Sequence, residues 1–405
     1  MTELTNQLKE SLDTQHVFII GSKGIPAKYG GFETFVEKLT EYQVSKDIQY
    51  HVACAVDKMP KEREYEYNGA HCFCIEWRPI GAARAITYDL DALKWSLNYI
   101  EKENIKHPII YILACRIGPF IGHYVKRIHE LGGKVFVNPD GHEWMRAKWS
   151  APVKRYWKIS EKGMIKHADL VICDSKTIEA YIQREYSKYN PKTTYIAYGA
   201  DTTPSPLKDD SPVFVEWLNK NELTPDNYYL VVGRFVPENN YETIIREFMA
   251  SNTKRDLVII TKAEGSFLSE LENKLHFSND PRIKFVGTVY DQDLLKKIRE
   301  KAFAYIHGHE VGGTNPSLLE ALASTKLNLL LDVGFNREVA ENTALYWEKE
   351  IASLNSLIDG IDLHFKDTEK ISLNNPMSRV EAKYSWHHID DEYSSLFHLM
   401  IQGSF

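Results

Sequence analysis

His309-Glu310-Val311-Gly312-Gly313-Thr314-Asn315-Pro316-Ser317-Leu318-Leu319-Glu320-Ala321-Leu322 joins an apolar run, Ala302 to Ile306, to a helical pattern, Ser317 to Ser324. A short apolar run is what a strand buried on both faces looks like. Two glycines let backbone approach a ligand, and Pro316 with Ser317 suits a helix start. A glycine turn feeding a helix N-terminus is an anion site, because free N–H groups and the helix dipole both favour negative charge. Glu320, about one turn in, is placed to meet a sugar hydroxyl. Phosphate beside a hydroxyl-binding carboxylate points to a nucleotide-sugar. The plainer reading is an ordinary strand-to-helix turn.

The alternation extends outward from this stretch. Tyr228 to Val232, Leu257 to Thr261, Arg282 to Val286 and Leu327 to Leu331 are further short apolar strands. An earlier series holds His16 to Gly21, Tyr50 to Val56, His71 to Trp77, Pro108 to Ala114, Lys134 to Val137, Asp169 to Cys173 and Thr193 to Ala197. Helical patterns lie between several of them, as at Phe32 to Gln43, Leu90 to Glu103 and Ile117 to Leu131. Asp201 to Pro212, rich in Asp, Pro, Thr and Ser, separates the two series as a linker. Two such runs predict an α/β fold of two doubly wound, Rossmann-like domains facing across a cleft, with ligands at strand C-terminal ends. The first domain is expected over residues 1–203, joined by a closing helix within 385–405, and the second over 204–384. Ile389, Tyr393, Leu396 and Met400 recur at helical spacing and mark that closing helix over Trp386 to Ile401.

Composition narrows the function classes. At 405 residues each half can bury a full core. A formal net charge of −7 argues against general nucleic-acid binding. Five cysteines with no CxxC pair fit a reduced cytoplasmic protein rather than a disulfide or zinc scaffold. No run approaches the roughly 18 apolar residues of a membrane span, so any membrane contact is expected to be peripheral. No Asp-x-Asp stands at a strand end and the histidines lack ligand spacing, so no metal site is expected.

Polar motifs gather at the strand ends. Gly21-Ser22-Lys23-Gly24-Ile25-Pro26 leads to Gly30-Gly31-Phe32-Glu33. A dinucleotide fold needs Gly-x-Gly-x-x-Gly running into a helix, and Pro26 breaks that spacing. The alternatives are a loop whose Gly30 and Gly31 touch a phosphate, or a plain surface loop. Asn138-Pro139-Asp140-Gly141-His142-Glu143-Trp144-Met145-Arg146 packs two carboxylates, an imidazole and a guanidinium at one strand end. Such a group can orient a hydroxyl nucleophile, or it can be a capping and salt-bridge cluster. Gly233-Arg234-Phe235-Val236-Pro237-Glu238 offers Arg234, whose planar fork suits a pyrophosphate. Arg116 stands at a further strand end.

Together these motifs resemble retaining nucleotide-sugar glycosyltransferases of the GT-B fold. Gly21 through Thr34, Asn138 through Trp144 and Gly312-Gly313-Thr314-Asn315-Pro316 are more specifically similar to bacterial β-1,4-L-rhamnosyltransferases of capsule and cell-wall polysaccharide assembly. The resemblance implies transfer of rhamnose from dTDP-L-rhamnose to a lipid-diphosphate-linked sugar at the inner membrane face, with retention and without a metal. It implies a donor set of Arg234, Gly312, Gly313, Thr314, Asn315, Glu320 and Val289. Gly30, Gly31, Glu33, Arg116 and Arg146 form an acceptor or phosphate loop, and Asp140, His142 and Glu143 compete for the catalytic place. Two positions depart from the broad pattern. Asn239 stands where many relatives carry lysine, and Gly312 where many carry glutamate. Glu310 is offset from the latter position by two residues, so no substitution is assumed. Other readings on the same fold are an epimerase or transferase for another nucleotide-sugar, and a nucleotide-sugar-binding protein without turnover.

Between Arg146 and Lys166 the chain is basic, and Lys154, Lys158, Lys162 and Lys166 recur every four residues with Trp144, Trp149, Tyr156 and Trp157 interleaved. On a helix these lysines make one stripe, suited to an anionic membrane surface. The plainer alternative is a solvated helix face above core tryptophans.

Overall fold

The computed structural model describes residues 14–28, 30–146, 148–311, 314–368 and 375–401. They form two compact units. The first runs from the opening strand to Gly199 and resumes at Trp386; the second is Ala200–Ser385.

The first unit is built on an eight-stranded sheet. Its strands are β1 (Gln15–Ile20), β2 (Ile48–Val56), β3 (Glu64–Tyr67), β4 (Ala70–Glu76), β5 (Ile109–Leu113), β6 (Lys134–Asn138), β7 (Leu170–Cys173) and β8 (Thr193–Tyr195). They lie in the order β3-β4-β2-β1-β5-β6-β7-β8, parallel except for β3 against β4. The helices are α1 (Gly31–Glu41), α2 (Arg84–Lys102), α3 (Gly118–Glu130), α4 (Ala151–His167) and α5 (Lys176–Glu185). Strand β5, Ile-Ile-Tyr-Ile-Leu, is buried along its whole length, as a central parallel strand covered on both faces must be. Ile110 and Ile112 join a core with Leu93 and Leu97 of α2 and Ile121, Val125 and Ile128 of α3. Tyr111 points the other way, and its hydroxyl meets that of Tyr393 at 2.9 Å.

Tyr393 belongs to the helix Trp386–Ile401, which returns to this unit after the chain has built the second one. A Cβ on Gly199 would lie 2.4 Å from the Trp386 ring, so glycine lets the returning helix seat there.

The second unit is a six-stranded, all-parallel sheet of β9 (Tyr228–Val232), β10 (Asp256–Ile260), β11 (Ile283–Gly287), β12 (Ala304–His307), β13 (Asn328–Leu331) and β14 (Leu345–Trp347). Its order is β11-β10-β9-β12-β13-β14. Its helices are α6 (Pro212–Lys220), α7 (Tyr241–Ala250), α8 (Ser266–Leu275), α9 (Gln292–Glu300), α10 (Pro316–Ser324), α11 (Gly334–Ala340), α12 (Ser353–Thr368) and α13 (Pro376–Tyr384), before α14 (Trp386–Ile401) rejoins the first unit. In each sheet the strand order reverses once, between β1 and β5 and between β9 and β12. Such switch points leave a crevice beyond the strand C-termini.

Two strands lie outside the expected series. β3 is Glu-Tyr-Glu-Tyr at a sheet edge, exposed on alternate residues, so it carries no apolar run. β14 is three residues long at an edge of the second sheet. Among the described residues no helix is long and apolar enough to cross a membrane.

Candidate functional site

In the first unit the loops beyond β1 and β5 are bonded to one another. Gly21 has φ 101°, and a Cβ there would lie 2.1 Å from the Leu113 carbonyl oxygen, so only glycine lets β1 end this close to β5. Arg116 donates to the Gly21 carbonyl at 2.7 Å and pairs with Asp89 at 3.2 Å. Asp89, on α2, is fully buried; burial pushes its carboxyl up to about 6 against the pull of Arg116. Glu33 folds back across the start of α1. Its carboxylate accepts the Lys23 N–H at 2.7 Å and crowds the position a Cβ on Gly30 would take. A carboxylate of the chain itself thus lies beside the start of α1.

The loop after β6 has the same character. Asp140 sits at φ 60° with its N–H on Asn138 Oδ1, 2.8 Å away. Its carboxyl lies 3.9 Å from Arg146. Burial raises the Asp140 pKa, Arg146 pulls it back, Glu143 pushes it up, and the net shift is upward. Glu143 pairs with Arg146 and takes donors from Lys148 at 3.0 Å and the Trp149 indole at 2.9 Å. Burial works to raise Glu143, but Arg146 and Lys148 outweigh it and hold it low. His142 turns elsewhere: its ring packs on Tyr181 at 4.3 Å and Trp144 at 5.8 Å, and burial lowers its pKa. Thus Asp140, Glu143 and Arg146 come together, while His142 sits against aromatic rings. A carboxyl that holds its proton more tightly and an imidazole kept neutral can each orient a hydroxyl.

In the second unit Arg234 follows β9 and is exposed, and no ion pair or hydrogen bond of its guanidinium occurs among the described residues. Its carbonyl accepts from Asn239 Nδ2 at 2.7 Å. Asn239, in the place of the expected lysine, is buried and braces the arginine loop instead of adding a charge. Asn240 donates to the Gly308 carbonyl at 2.8 Å and to Glu310 at 3.0 Å, joining the loops beyond β9 and β12. A Cβ on Gly233 would come 2.9 Å from the His309 ring, so these loops are also in close steric contact.

The stretch quoted at the outset behaves partly as expected. Gly312 and Gly313 lie outside the described residues. Thr314 is buried. Asn315 caps α10, its side chain accepting from the Ser317 N–H at 2.9 Å and the Leu318 N–H at 3.4 Å. Two of the first N–H groups of α10 are therefore paired within the chain, because asparagine is itself a favoured cap. Glu320 is 39% exposed and pairs with the buried Arg299 at 2.6 Å. Val289 is half-buried against the apolar layer that includes Leu294 and Leu295.

Lys158 leaves the expected basic stripe. Its ammonium lies 4.7 Å from the Trp144 ring centre and 5.0 Å from that of Tyr181, and pairs with Glu161 and Glu185. The exposed line of α4 is Arg155, Ile159, Lys162 and Lys166, with Ile159 52% exposed. Asp89 and Tyr181 had a faint signal in the sequence: each places a polar group on a helix face otherwise made of core residues.

Residues 14–201 match the family described as domain of unknown function DUF1972, and residues 213–375 match Glycosyl transferases group 1. The O-antigen chain mannosyltransferase RfbU of Salmonella typhimurium is 22% identical over 216 residues, 51% of this chain and 57% of that protein. The chain thus spans little more than half the length of this curated relative. Among solved structures, sucrose-phosphate synthase from Thermosynechococcus elongatus superposes with TM-score 0.73 at 17% identity, covering 96% of this chain and 100% of the other. A glycosyltransferase from Rickettsia africae gives 0.70 at 13%, over 96% and 99%. HepE of Anabaena, solved with UDP and glucose, gives 0.66 at 12%, over 95% and 99%. The fold is GT-B: two Rossmann-like α/β domains. The Glycosyl transferases group 1 match falls within the second unit.

Proposed function

We propose that the protein transfers L-rhamnose from dTDP-L-rhamnose to a lipid-diphosphate-linked sugar, forming a β-1,4 linkage with retention during capsular or cell-wall polysaccharide assembly. The observation that carries the donor half of this reading is Arg234, an exposed guanidinium at the β9/β12 switch point with no ion pair among the described residues. A planar fork left open at a strand end suits a diphosphate. The rhamnosyl part is supported by the sequence resemblance, above all Gly21 through Thr34 and Asn138 through Trp144.

In the proposed reaction the bond from the sugar C1 to the diphosphate oxygen breaks and a bond from C1 to the acceptor oxygen forms. The acceptor proton passes to the departing diphosphate on the same face. Asp140, His142 or Glu143 orients the acceptor hydroxyl, and no metal is required. The test is a donor panel of dTDP-L-rhamnose, UDP-glucose and GDP-mannose with a lipid-diphosphate-linked glucose or N-acetylglucosamine, read by product formation and by the anomeric configuration. Turnover with dTDP-rhamnose alone, giving a β-linked product unaffected by EDTA, is expected. Turnover only with another donor, an α-linked product, or activity lost to EDTA and restored by magnesium would each overturn the corresponding part.

The lipid-linked acceptor calls for peripheral attachment at the inner membrane face. The exposed Arg155, Ile159, Lys162 and Lys166 offer cations around an apolar anchor, each cation worth about 1 kcal/mol near an anionic surface. Glutamate at the three basic positions should abolish salt-sensitive sedimentation with phosphatidylserine vesicles. Lys158→Glu is the wrong test, because it would break the aromatic cluster.

A further inference from the structure

Resting on the nucleotide-sugar reading above, we infer that Glu310 reads the donor sugar, accepting a hydrogen bond from a sugar hydroxyl through its Oε1. Glu310 lies three residues beyond β12, at the switch point of the second unit. Its carboxylate is held at one end only. Asn240 Nδ2 donates to Oε2 at 3.0 Å, and the Lys349 ammonium pairs with that same Oε2. No hydrogen bond to Oε1 occurs among the described residues, and the side chain is 28% exposed.

The support for this geometry is stiff. Asn240 adopts φ 57° and is tied to the Gly308 carbonyl by the same Nδ2 that holds Glu310. The Glu310 N–H donates to the Glu238 carbonyl at 3.1 Å. A carboxylate anchored at one oxygen by an ammonium and an amide holds its other oxygen as a fixed acceptor. Paired with the Lys349 ammonium, it offers no cation to a diphosphate but an acceptor to a hydroxyl. Arg234 and Glu310 therefore divide the donor between them: diphosphate to the arginine, sugar to the glutamate. A sugar that excludes water without offering a hydroxyl would leave Oε1 unsatisfied, and such unpaired groups discriminate strongly.

The test compares each sugar nucleotide with its own nucleoside diphosphate by titration calorimetry: dTDP against dTDP-L-rhamnose, UDP against UDP-glucose, GDP against GDP-mannose. For the pair that binds the parent protein, Glu310→Gln should leave diphosphate affinity within about twofold and weaken the sugar nucleotide about tenfold or more, the scale of a hydrogen bond to a charged group. Arg234→Ala should instead weaken both members alike. If Glu310→Gln fails to fold, Glu310→Asp withdraws the carboxylate by one methylene and is read in the same way. Equal weakening of both members would reduce Glu310 to a brace between loops, and no change would remove it from the site; either result overturns this inference and leaves the donor reading standing. If no pair binds the parent protein, the donor reading and this inference fall together.

Discussion

Beyond β1, β5 and β6 in the first unit, polar side chains are bonded within the chain; beyond β9 and β12 in the second, Arg234 is exposed with no ion pair, and no hydrogen bond reaches Glu310 Oε1, among the described residues. Arg116 is held by Asp89 and the Gly21 carbonyl, Glu33 by the Lys23 amide, and Glu143 by Arg146, Lys148 and Trp149. The same topology thus supports two electrostatic designs. One is preorganised and nearly neutralised, suited to orienting an uncharged hydroxyl. The other leaves a charge exposed, suited to capturing a charged donor.

If the first network is structural, breaking it should cost stability rather than affinity. Asp89→Ala strands the guanidinium of Arg116, and removing one partner of a buried pair costs about 3–5 kcal/mol. Denaturant unfolding of the variant should show a loss of that order, with nucleotide binding to the folded fraction unchanged. A loss below about 1 kcal/mol would mean that the pair is solvated and the contrast between the units is overstated.

Mutual pairing is not complete in the first unit. Asp390 on α14 is buried, with Oδ2 on the Val44 N–H and Oδ1 without a partner. Burial pushes its pKa up to about 6. The unfolded value is near 3.8, so the folded chain holds this proton more tightly. Its contribution favours folding at acid pH and is lost as pH rises from about 4 through 6. Asp390→Asn should therefore be more stable than the parent above pH 6, by about 2–3 kcal/mol from a shift of this size, and equal to it near pH 4. A variant that is less stable at pH 7 would place a cation or water against Oδ1.

The open design makes the reverse prediction. Arg234→Ala should leave the melting temperature unchanged and weaken dTDP-rhamnose binding by about 1.5–3 kcal/mol. Lost stability with unchanged affinity would make Arg234 another internal tie.

These contrasts could be read in the sequence only in part. Strand β5 announces itself because burial on both faces demands an unbroken apolar run, and the switch-point loops follow from strand and helix alternation. β3 does not, because an edge strand of alternating Glu and Tyr has no such run. The polar candidates were visible as residue types at strand ends, but their partners were not. Asp89 is some 27 positions from Arg116, and Lys349 lies well beyond Glu310. Pairing over such separations is set by packing, which local spacing does not encode. The α10 start shows the same limit at short range: Asn315 reads as a donor contact in the sequence, and its side-chain oxygen also caps the helix through Ser317 and Leu318.

That cap offers the smallest and most discriminating test. Asn315→Asp keeps an oxygen to accept both N–H groups and adds a negative charge at a helix start, where the dipole favours it by about 0.3–1 kcal/mol. Stability should hold or rise slightly. If the donor diphosphate nevertheless lies near this helix, with Arg234 as its main cation, the new carboxylate should repel it. Affinity for dTDP should then fall, and fall less at high salt, where screening weakens the repulsion. If affinity is unchanged at every salt concentration, the diphosphate sits away from the α10 start. Arg234 would then bind it with the loop before α10, and the helix end would serve only to hold Asn315 and the chain that precedes it.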